Sequence, residues 1–209
     1  MNQIYKLFKE KQGAEHIASP VSIEKIVELA GGAKNILEFG AGIGTLTYAT
    51  LKSTDAFIEI YEDNEFCIEK LRENLKEYAD RYVHIGSYNC MPRRKKYDLI
   101  IVDGGKGGDD GGVNNWISMM FRNYLEPPLM YFEGGRAAQR KQVRNMLTSR
   151  YICKIERVVS RDGFKGGTVM RFTPSCSYIQ KFLNKMWCDF REHRRMEWLF
   201  GYIKPPEAG

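Results

Sequence analysis

The hydrophobic pattern of the chain alternates between short apolar runs and longer segments whose apolar residues recur at spacings of three and four. Short apolar runs bounded by polar residues or glycine are typical of strands in a buried parallel sheet, and the longer spacing is typical of amphipathic helices. The short runs predict five strands, at residues 35–39, 56–61, 82–85, 97–102 and 129–132. Helices are predicted around and between them, at residues 2–11, 20–30, 45–52, 64–78, 113–124 and 136–148.

The pattern changes after residue 150. Two strand-like runs, residues 151–160 and 167–173, are separated by Arg161-Asp162-Gly163 and Lys165-Gly166-Gly167, which predicts an antiparallel hairpin. Five helix-linked strands followed by a hairpin predict an α/β fold with a Rossmann-like, doubly wound, mostly parallel seven-stranded sheet. The expected organisation is an N-terminal helix and linker over residues 1–18, the α/β domain over 19–175, and a C-terminal helical extension over 176–209.

The predicted C-terminal helix, from Ser177 to Phe200, carries an apolar stripe. The stripe predicts packing on the chain's own domain or on a second subunit, so a homodimer through this helix is one expectation. Attachment to a membrane surface is disfavoured, because acidic residues interrupt the basic face of the helix. The stripe consists of Ile179, Phe182, Leu183, Met186, Trp187 and Phe190, and the acidic residues are Asp189, Glu192 and Glu197.

Composition narrows the class of protein. The chain of 209 residues suits one domain with a small extension, and its apolar runs are all shorter than the roughly 20 residues of a membrane span. Five cysteines without a Cys-x-x-Cys pair indicate neither a disulfide framework nor a zinc site, so we expect a cytoplasmic protein. The net charge of +6 permits nucleic acid as a partner, but the basic residues fall in three separate clusters, which disfavours a single groove.

A glycine-rich turn follows the first predicted strand, in the run Glu38-Phe39-Gly40-Ala41-Gly42-Ile43-Gly44-Thr45. Glycines allow the backbone to turn sharply against a ligand, and the next helix offers free N–H groups. A dinucleotide fingerprint requires glycine at the sixth position, which is Thr45 here, and a phosphate-binding P-loop would end in Gly-Lys-Ser/Thr. The pattern therefore indicates a different nucleotide-like ligand.

The spacing Glu38-x-Gly40-x-Gly42-x-Gly44 resembles the first motif of class I S-adenosylmethionine-dependent methyltransferases. The resemblance implies this cofactor and a methyltransferase domain. It also implies that an acid at the end of the second strand binds the cofactor ribose, and Glu62 lies 22 residues after Gly40. The implied cofactor-binding residues are Glu38, Gly40, Ala41, Gly42, Gly44, Glu62 with its neighbour Asp63, Ser87 and Tyr88 after the third strand, and Asp103.

The run from Tyr97 to Lys106 resembles the catechol-type O-methyltransferases, whose fourth strand ends in Asp-x-Asp-Lys. In that subgroup the first aspartate binds a divalent metal, and Asp103 and Lys106 match its aspartate and lysine. The rest of the metal site departs from the pattern, because Gly105 replaces the second acid and Glu133-Gly134 replaces Asp-Asn. Mg²⁺ held by Asp103 and Glu133 therefore stands as a secondary expectation.

The remaining candidates concern the methyl acceptor. Asp103, Lys106 and His16 are the candidate catalytic groups, and Arg136 and Glu133 the candidate substrate-binding residues. Because a guanidinium binds carboxylate or phosphate bidentately, we expect a small-molecule acceptor with an oxygen or nitrogen nucleophile and an anionic group. Arg140 and Arg144 are expected on a solvated helix face, Asp98 in a structural role, and the glycine-rich residues 104–112 in a lid.

Three other functions are compatible with the same sheet. A nucleic-acid methyltransferase is disfavoured because no Asn/Asp-Pro-Pro-Tyr/Phe motif follows the fourth strand. An aminopropyltransferase would use the decarboxylated cofactor. An inactive scaffold subunit would fold in the same way but would not bind S-adenosylmethionine.

Overall fold

The computed structural model describes residues 2–86, 96–104, 127–159 and 165–193. The helices are α1 (Gln3–Lys9), α2 (Pro20–Ala30), α3 (Thr45–Ser53), α4 (Glu65–Asn74), α5 (Ala137–Leu147) and α6 (Tyr178–His193), with short 3₁₀ turns at Ala14–His16 and Lys76–Tyr78. The strands are β1 (Asn35–Phe39), β2 (Phe57–Tyr61), β3 (Tyr82–Gly86), β4 (Leu99–Val102), β5 (Leu129–Phe132), β6 (Tyr151–Val159) and β7 (Lys165–Pro174). The expected helix at 113–124 lies outside the described residues.

The strands form one seven-stranded sheet in the order β3-β2-β1-β4-β5-β7-β6. The first five strands are parallel, and β7 runs antiparallel to both β5 and β6. This arrangement confirms the predicted fold class. The strand order reverses at β1, which lies between β2 and β4, and open α/β sheets bind ligands at such a switch point.

Two hydrophobic cores cover the two faces of the sheet. Because successive strand residues point to opposite faces, Ile36 belongs to the first core and Leu37 to the second, and Ile101 and Val102 divide in the same way. Helices α1 to α4 contribute to the first core, whereas α5 and α6 contribute to the second. The central strands β1, β2, β4 and β5 are therefore buried on both faces, as their apolar runs predict.

Polar residues fix the ends of several elements where the sequence indicates them. The Ser19 hydroxyl accepts the Ser22 N–H at the start of α2, and Asn64, one of the two residues considered for the cap, accepts the Cys67 N–H at the start of α4. Asp98 accepts the N–H groups of Lys34 and Asn35 at 2.8 and 3.0 Å, so it joins the start of β4 to the start of β1. These contacts place Asp98 in the structural role expected for it.

Two expectations about the C-terminal half are wrong. Lys165 and Gly166 were expected between the two strands of the hairpin, but they are the first residues of β7, where Lys165 pairs with Val159. Arg140 and Arg144 were expected on a solvated face, but they are 7% and 0% exposed. They share a helix face with Val143 and Leu147, and that face packs into the second core.

The C-terminal helix α6 packs on the sheet through its polar side rather than through its apolar stripe. The Asn184 side chain contacts β6, and Cys188 is buried beside it. By contrast, Ile179, Phe182 and Leu183 are each more than half exposed. The side chain of Phe190 lies outside the described part of the chain. No helix in the described ranges combines the length and the apolar character needed to cross a membrane.

Candidate functional site

A cavity of about 290 Å³ opens at the switch point of the sheet. Its wall is formed by the segments that follow β1, β2 and β4 and by the N-terminal segment before α2. Residues of α3 and α4 and Arg136, which directly precedes α5, complete it. The volume is near the lower end of the range for small-molecule sites, about 300 Å³ and above. The lining residues are Gly13, His16, Ile17, Ala18, Gly40, Ala41, Gly42, Ile43, Thr45, Leu46, Glu62, Asp63, Cys67, Asp103, Gly104 and Arg136.

The glycine turn joins the ends of three strands at the cavity. The Gly40 N–H donates to the Tyr61 carbonyl, and the N–H groups of Asp103 and Gly104 donate to the Phe39 carbonyl. Gly40 has φ +74°, and a Cβ at this position would lie 2.1 Å from the Gly104 Cα, so only glycine fits. Gly42 also has positive φ (+55°), but its missing Cβ would face open space, as expected for a turn that borders a ligand site.

The Glu62 carboxylate organises the cavity wall. Its Oε2 accepts the Gly42 N–H at 2.7 Å, and its Oε1 accepts the N–H groups of Asp63 and Asn64 at 3.0 Å each. A carboxylate offers about four acceptor positions, so these three N–H groups leave roughly one for a ligand hydroxyl. The residue is 7% exposed, and the His84 Nε2 lies 2.7 Å from the Glu62 carbonyl oxygen. Since a carbonyl only accepts, this nitrogen carries the hydrogen.

Asp103 and Arg136 form an ion pair at the edge of the cavity. The Arg136 Nη2 lies 3.2 Å from the Asp103 Oδ1 and also donates to the Asp103 main-chain carbonyl. Removal from bulk water and the nearby Glu133 raise the pKa of Asp103 well above its ordinary value, and Arg136 opposes that rise. The Asp103 side chain is 23% exposed and the Arg136 side chain 24%, so both remain accessible from the cavity.

Glu133 is held by two hydroxyl groups. The Ser22 Oγ donates to Glu133 Oε1 at 2.9 Å, and the Tyr131 hydroxyl donates to Oε2 at 2.6 Å. Burial raises the pKa of Glu133, although both hydrogen bonds and Arg136 oppose the shift. These bonds engage the two carboxylate oxygens, so Glu133 is positioned by α2 and β5.

Glu38 is fully buried behind the glycine turn. Thr47, in the first turn of α3, donates its hydroxyl to Glu38 Oε2 at 2.6 Å, while Oε1 has no hydrogen-bond partner. Desolvation raises the pKa of Glu38 to about 7, despite the Thr47 hydrogen bond, and the negative charge of Glu62 adds to the rise. Glu38 therefore connects β1 to α3 through the hydrogen bond with Thr47.

Several of the sequence-predicted site residues lie together at the cavity. They come from five separate segments of the chain. The residues are His16, Gly40, Ala41, Gly42, Glu62, Asp63, Asp103 and Arg136. Gly44 instead precedes the first residue of α3 as its N-cap, and Glu38 and Glu133 have the supporting positions described above. Ser87, Tyr88, Lys106 and the expected lid over 105–112 lie outside the described residues.

Sequence reasoning missed three polar residues that support the site. Ser22 and Tyr131 hold Glu133, and His84 contacts the backbone of Glu62. Ser22 is fully buried on a helix face with Ile23 and Ile26, and a polar residue inside an apolar face is a signal that could have identified it. It also missed that Gly13 and Ile17, in the predicted linker, line the cavity.

The donor set does not fit a divalent metal. Asp103 pairs with the Arg136 guanidinium, and both oxygens of Glu133 accept hydroxyl groups. Within the described ranges no three His, Cys, Asp or Glu side chains are grouped so that they could hold a metal ion. The positive charge beside Asp103 is supplied by Arg136, and no step of the reaction is assigned to Mg²⁺.

Comparison with solved structures identifies the fold. An O-methyltransferase from Streptomyces achromogenes involved in tomaymycin synthesis, in complex with S-adenosylmethionine, superposes with a TM-score of 0.63 at 15% identity, over 83% of this chain and 91% of that chain. An O-methyltransferase from Bacillus cereus in complex with S-adenosylhomocysteine gives 0.59 at 15%, over 82% and 89%. A precorrin-6y C5,15-methyltransferase from Geobacter metallireducens gives 0.58 at 13%, over 77% and 92%.

The chain has the class I methyltransferase fold. The structural matches confirm the resemblance at the level of the fold. The cavity of this chain lies at the switch point of its own sheet. No sequence-family model matches the chain, and no curated protein matches it in sequence. The methyltransferase fold is therefore visible in the topology, although the two sequences are only 15% identical.

Proposed function

We propose that this chain is an S-adenosylmethionine-dependent methyltransferase that acts on an oxygen or nitrogen nucleophile of a small molecule. The observation that carries the proposal is the charge of the cavity at the switch point. Three carboxylates, those of Glu62, Asp63 and Asp103, and one guanidinium, that of Arg136, line it beside the glycine turn, so the lining is acidic on balance. Such a lining attracts a ligand with cationic sulfonium and ammonium groups and repels the polyphosphate of a dinucleotide or nucleoside triphosphate.

The residues at the cavity fit this cofactor. The glycine turn leaves open space beside Gly42, and Glu62 keeps roughly one acceptor position for a ribose hydroxyl. The cofactor, when bound, supplies a methyl carbon that is already activated for transfer. The protein's tasks are then to align the acceptor with that carbon and to exclude water.

Asp103 and His16 are the described groups that could take a proton from the acceptor. The raised pKa of Asp103 makes its carboxylate a stronger base than an exposed aspartate. Arg136 holds Asp103 in place and borders the same cavity, so an anionic group of the acceptor would be bound there. These contacts support a small acceptor with a negative charge.

The first experiment is a calorimetric titration with S-adenosylmethionine and S-adenosylhomocysteine. We expect the wild-type protein to bind both, and Glu62→Gln to bind at least about tenfold more weakly. The reason is that the amide replaces one acceptor oxygen with an N–H₂ group that faces backbone N–H donors. Glu69→Gln is the matched control. The Glu69 side chain on α4 is 69% exposed, and its substitution makes the same chemical change away from the cavity.

Each outcome of the titration has a defined meaning. If the wild-type protein binds neither S-adenosylmethionine nor S-adenosylhomocysteine, and binds neither NAD⁺ nor ATP, a scaffold subunit becomes the better interpretation. Binding of NAD⁺ or ATP in preference to S-adenosylmethionine would reject the argument from the acidic lining. Equal affinity of the Glu62→Gln and Glu69→Gln variants for S-adenosylmethionine would show that Glu62 does not contribute to its binding.

A further inference from the structure

The exposed surface of α6 is unusually apolar. Six large apolar side chains of this helix are 55–84% exposed, whereas the other large exposed ones in the described part of the chain, Leu7, Phe66 and Val159, lie on separate elements. Single exposed apolar residues are normal, but a contiguous patch indicates a contact surface. The patch, called the α6 stripe below, consists of Tyr178, Ile179, Phe182, Leu183, Met186 and Trp187.

The opposite side of α6 is fixed to the sheet. The Asn184 side chain accepts the Cys153 N–H at 2.8 Å and donates to the Cys153 carbonyl at 2.9 Å, so it pairs with the outer edge of β6 as another strand would. Lys181 Nζ donates to the Ser149 carbonyl at 3.0 Å, and the Cys188 Sγ lies 3.6 Å from the Cys153 carbonyl. The helix is therefore held in one orientation, and its stripe is preorganised for contact.

The shape of the stripe favours another copy of itself as the partner. Its residues form two adjacent rows with spacing four, Tyr178-Phe182-Met186 and Ile179-Leu183-Trp187. Rows with this spacing are the ridges that interdigitate when two helices pack with the commonest crossing angle. Two parallel ridges enclose a groove, so one face supplies both the ridge and the groove that a twofold symmetric contact requires.

The size of the stripe also agrees with a dimer. Taking about 200 Å² for a large apolar side chain, the exposed fractions of the six residues correspond to about 800 Å². A stable protein–protein interface buries about 800 Å² on each partner. We propose that the chain forms a homodimer in which the α6 stripes of two copies pack against each other.

The test is the mass of the full-length protein in solution, measured by sedimentation equilibrium from about 1 to about 100 μM. We expect the wild-type protein to sediment with twice the chain mass of 24.2 kDa. Leu183→Glu should weaken the dimer at least about 100-fold, because each dimer carries the substitution twice near the centre of the contact. Lys185→Gln is the matched control, since it lowers the net charge by the same amount from an exposed position outside the stripe.

Leu183 is 58% exposed, so Leu183→Glu should fold with the circular-dichroism spectrum of the control, and Met186→Glu provides a second variant with the same expectation. A wild-type protein of single-chain mass throughout the concentration range would overturn the proposal. Binding of that monomer through the stripe to vesicles containing phosphatidylserine would also overturn the proposal. A dimer of undiminished affinity in both glutamate variants would place the contact elsewhere.

Discussion

At the scale of single residues, two glutamates that the sequence assigned to the same ligand have different positions. Glu62 lines the cavity and holds the backbone of the glycine turn, whereas Glu38 is fully buried and bonded to Thr47. The sequence places both near the turn, since one precedes it and the other lies at the expected distance. Glu38 lies within β1 and is covered by α3, whereas Glu62 directly follows the last residue of β2, at the sheet edge where the cavity opens.

The burial of Glu38 predicts a pH-dependent stability. Its pKa is raised from an ordinary 4.5 to about 7, so between these values the folded state binds more protons than the unfolded state. The contribution of Glu38 to the free energy of unfolding is therefore lost as the pH rises through this window, by at most about 3 kcal/mol. Glu38→Gln should abolish that part of the pH dependence, measured by thermal melts from about pH 5 to about pH 8.5.

The control for this prediction is Glu69→Gln, whose side chain is largely exposed. Its pH profile should run parallel to that of the wild-type protein. If the Glu38→Gln profile also runs parallel, the buried carboxylate does not titrate in the folded state as expected.

The ion pair at Asp103 leads to a prediction about metal. Because Arg136 pairs with Asp103, and Ser22 and Tyr131 engage Glu133, we expect millimolar Mg²⁺ to leave the melting temperature unchanged. The measurement is a thermal melt with and without Mg²⁺, with Asp103→Asn as the comparison. A rise in melting temperature that disappears in Asp103→Asn would show that a metal binds there after all.

At the scale of elements, helix α5 shows how one spacing can support two interpretations. Arg136, Arg140 and Arg144 recur every four residues, and this spacing of charged residues predicts a solvated face beyond Arg136. Val143 and Leu147 recur with the same period, and their face is the one that enters the second core together with Arg140 and Arg144. The period identifies a helix face, but only the position of the sheet determines whether that face is buried.

The first residues of β7 lead to a prediction about the hairpin. A Cβ on Gly167 would lie 2.2 Å from the Phe132 carbonyl oxygen and 2.6 Å from the Tyr131 ring, between β7 and β5. We expect Gly167→Ala to lower the free energy of unfolding by at least about 2–3 kcal/mol, because backbone must move to admit the methyl group. Denaturant unfolding measures this change.

Gly32→Ala is the control for the hairpin prediction. Gly32 has φ +88° but nothing within 4 Å of its missing Cβ, so the substitution should cost only the backbone strain of about 1–2 kcal/mol. Equal losses in the two variants would mean that the close approach of β7 to β5 is not what excludes a side chain.

At the scale of the whole molecule, the charge distribution separates a small acceptor from a nucleic acid. The net charge is +6, yet three carboxylates line the cavity. In the basic cluster formed by Arg136, Arg140, Lys141 and Arg144, the side chains of Arg140 and Arg144 are buried, so this cluster presents less positive charge at the surface. Scattered surface charge supports only weak, salt-dependent binding of nucleic acid.

We therefore expect RNA oligonucleotides to bind with a dissociation constant weaker than about 1 μM at physiological salt, in a range typical of non-specific contacts. A filter-binding titration over a series of salt concentrations measures this, with S-adenosylhomocysteine affinity in the same buffers as the internal control. Nanomolar RNA binding that persists at high salt would instead support a nucleic-acid methyltransferase.

The sequence by itself determined the order of strands and helices, the glycine turn and the distance from Gly40 to Glu62. These features follow from hydrophobic periodicity and from the backbone demands of a sharp turn, both of which are local. The tertiary structure decided which residues meet: it joined Arg136 to Asp103, bound Glu133 to Ser22, and brought Ile17 of the N-terminal linker into the cavity wall. It also turned the apolar stripe of α6 outward, because Asn184 pairs with the free edge of β6. Such contacts join segments that are distant along the chain, so no local pattern encodes them.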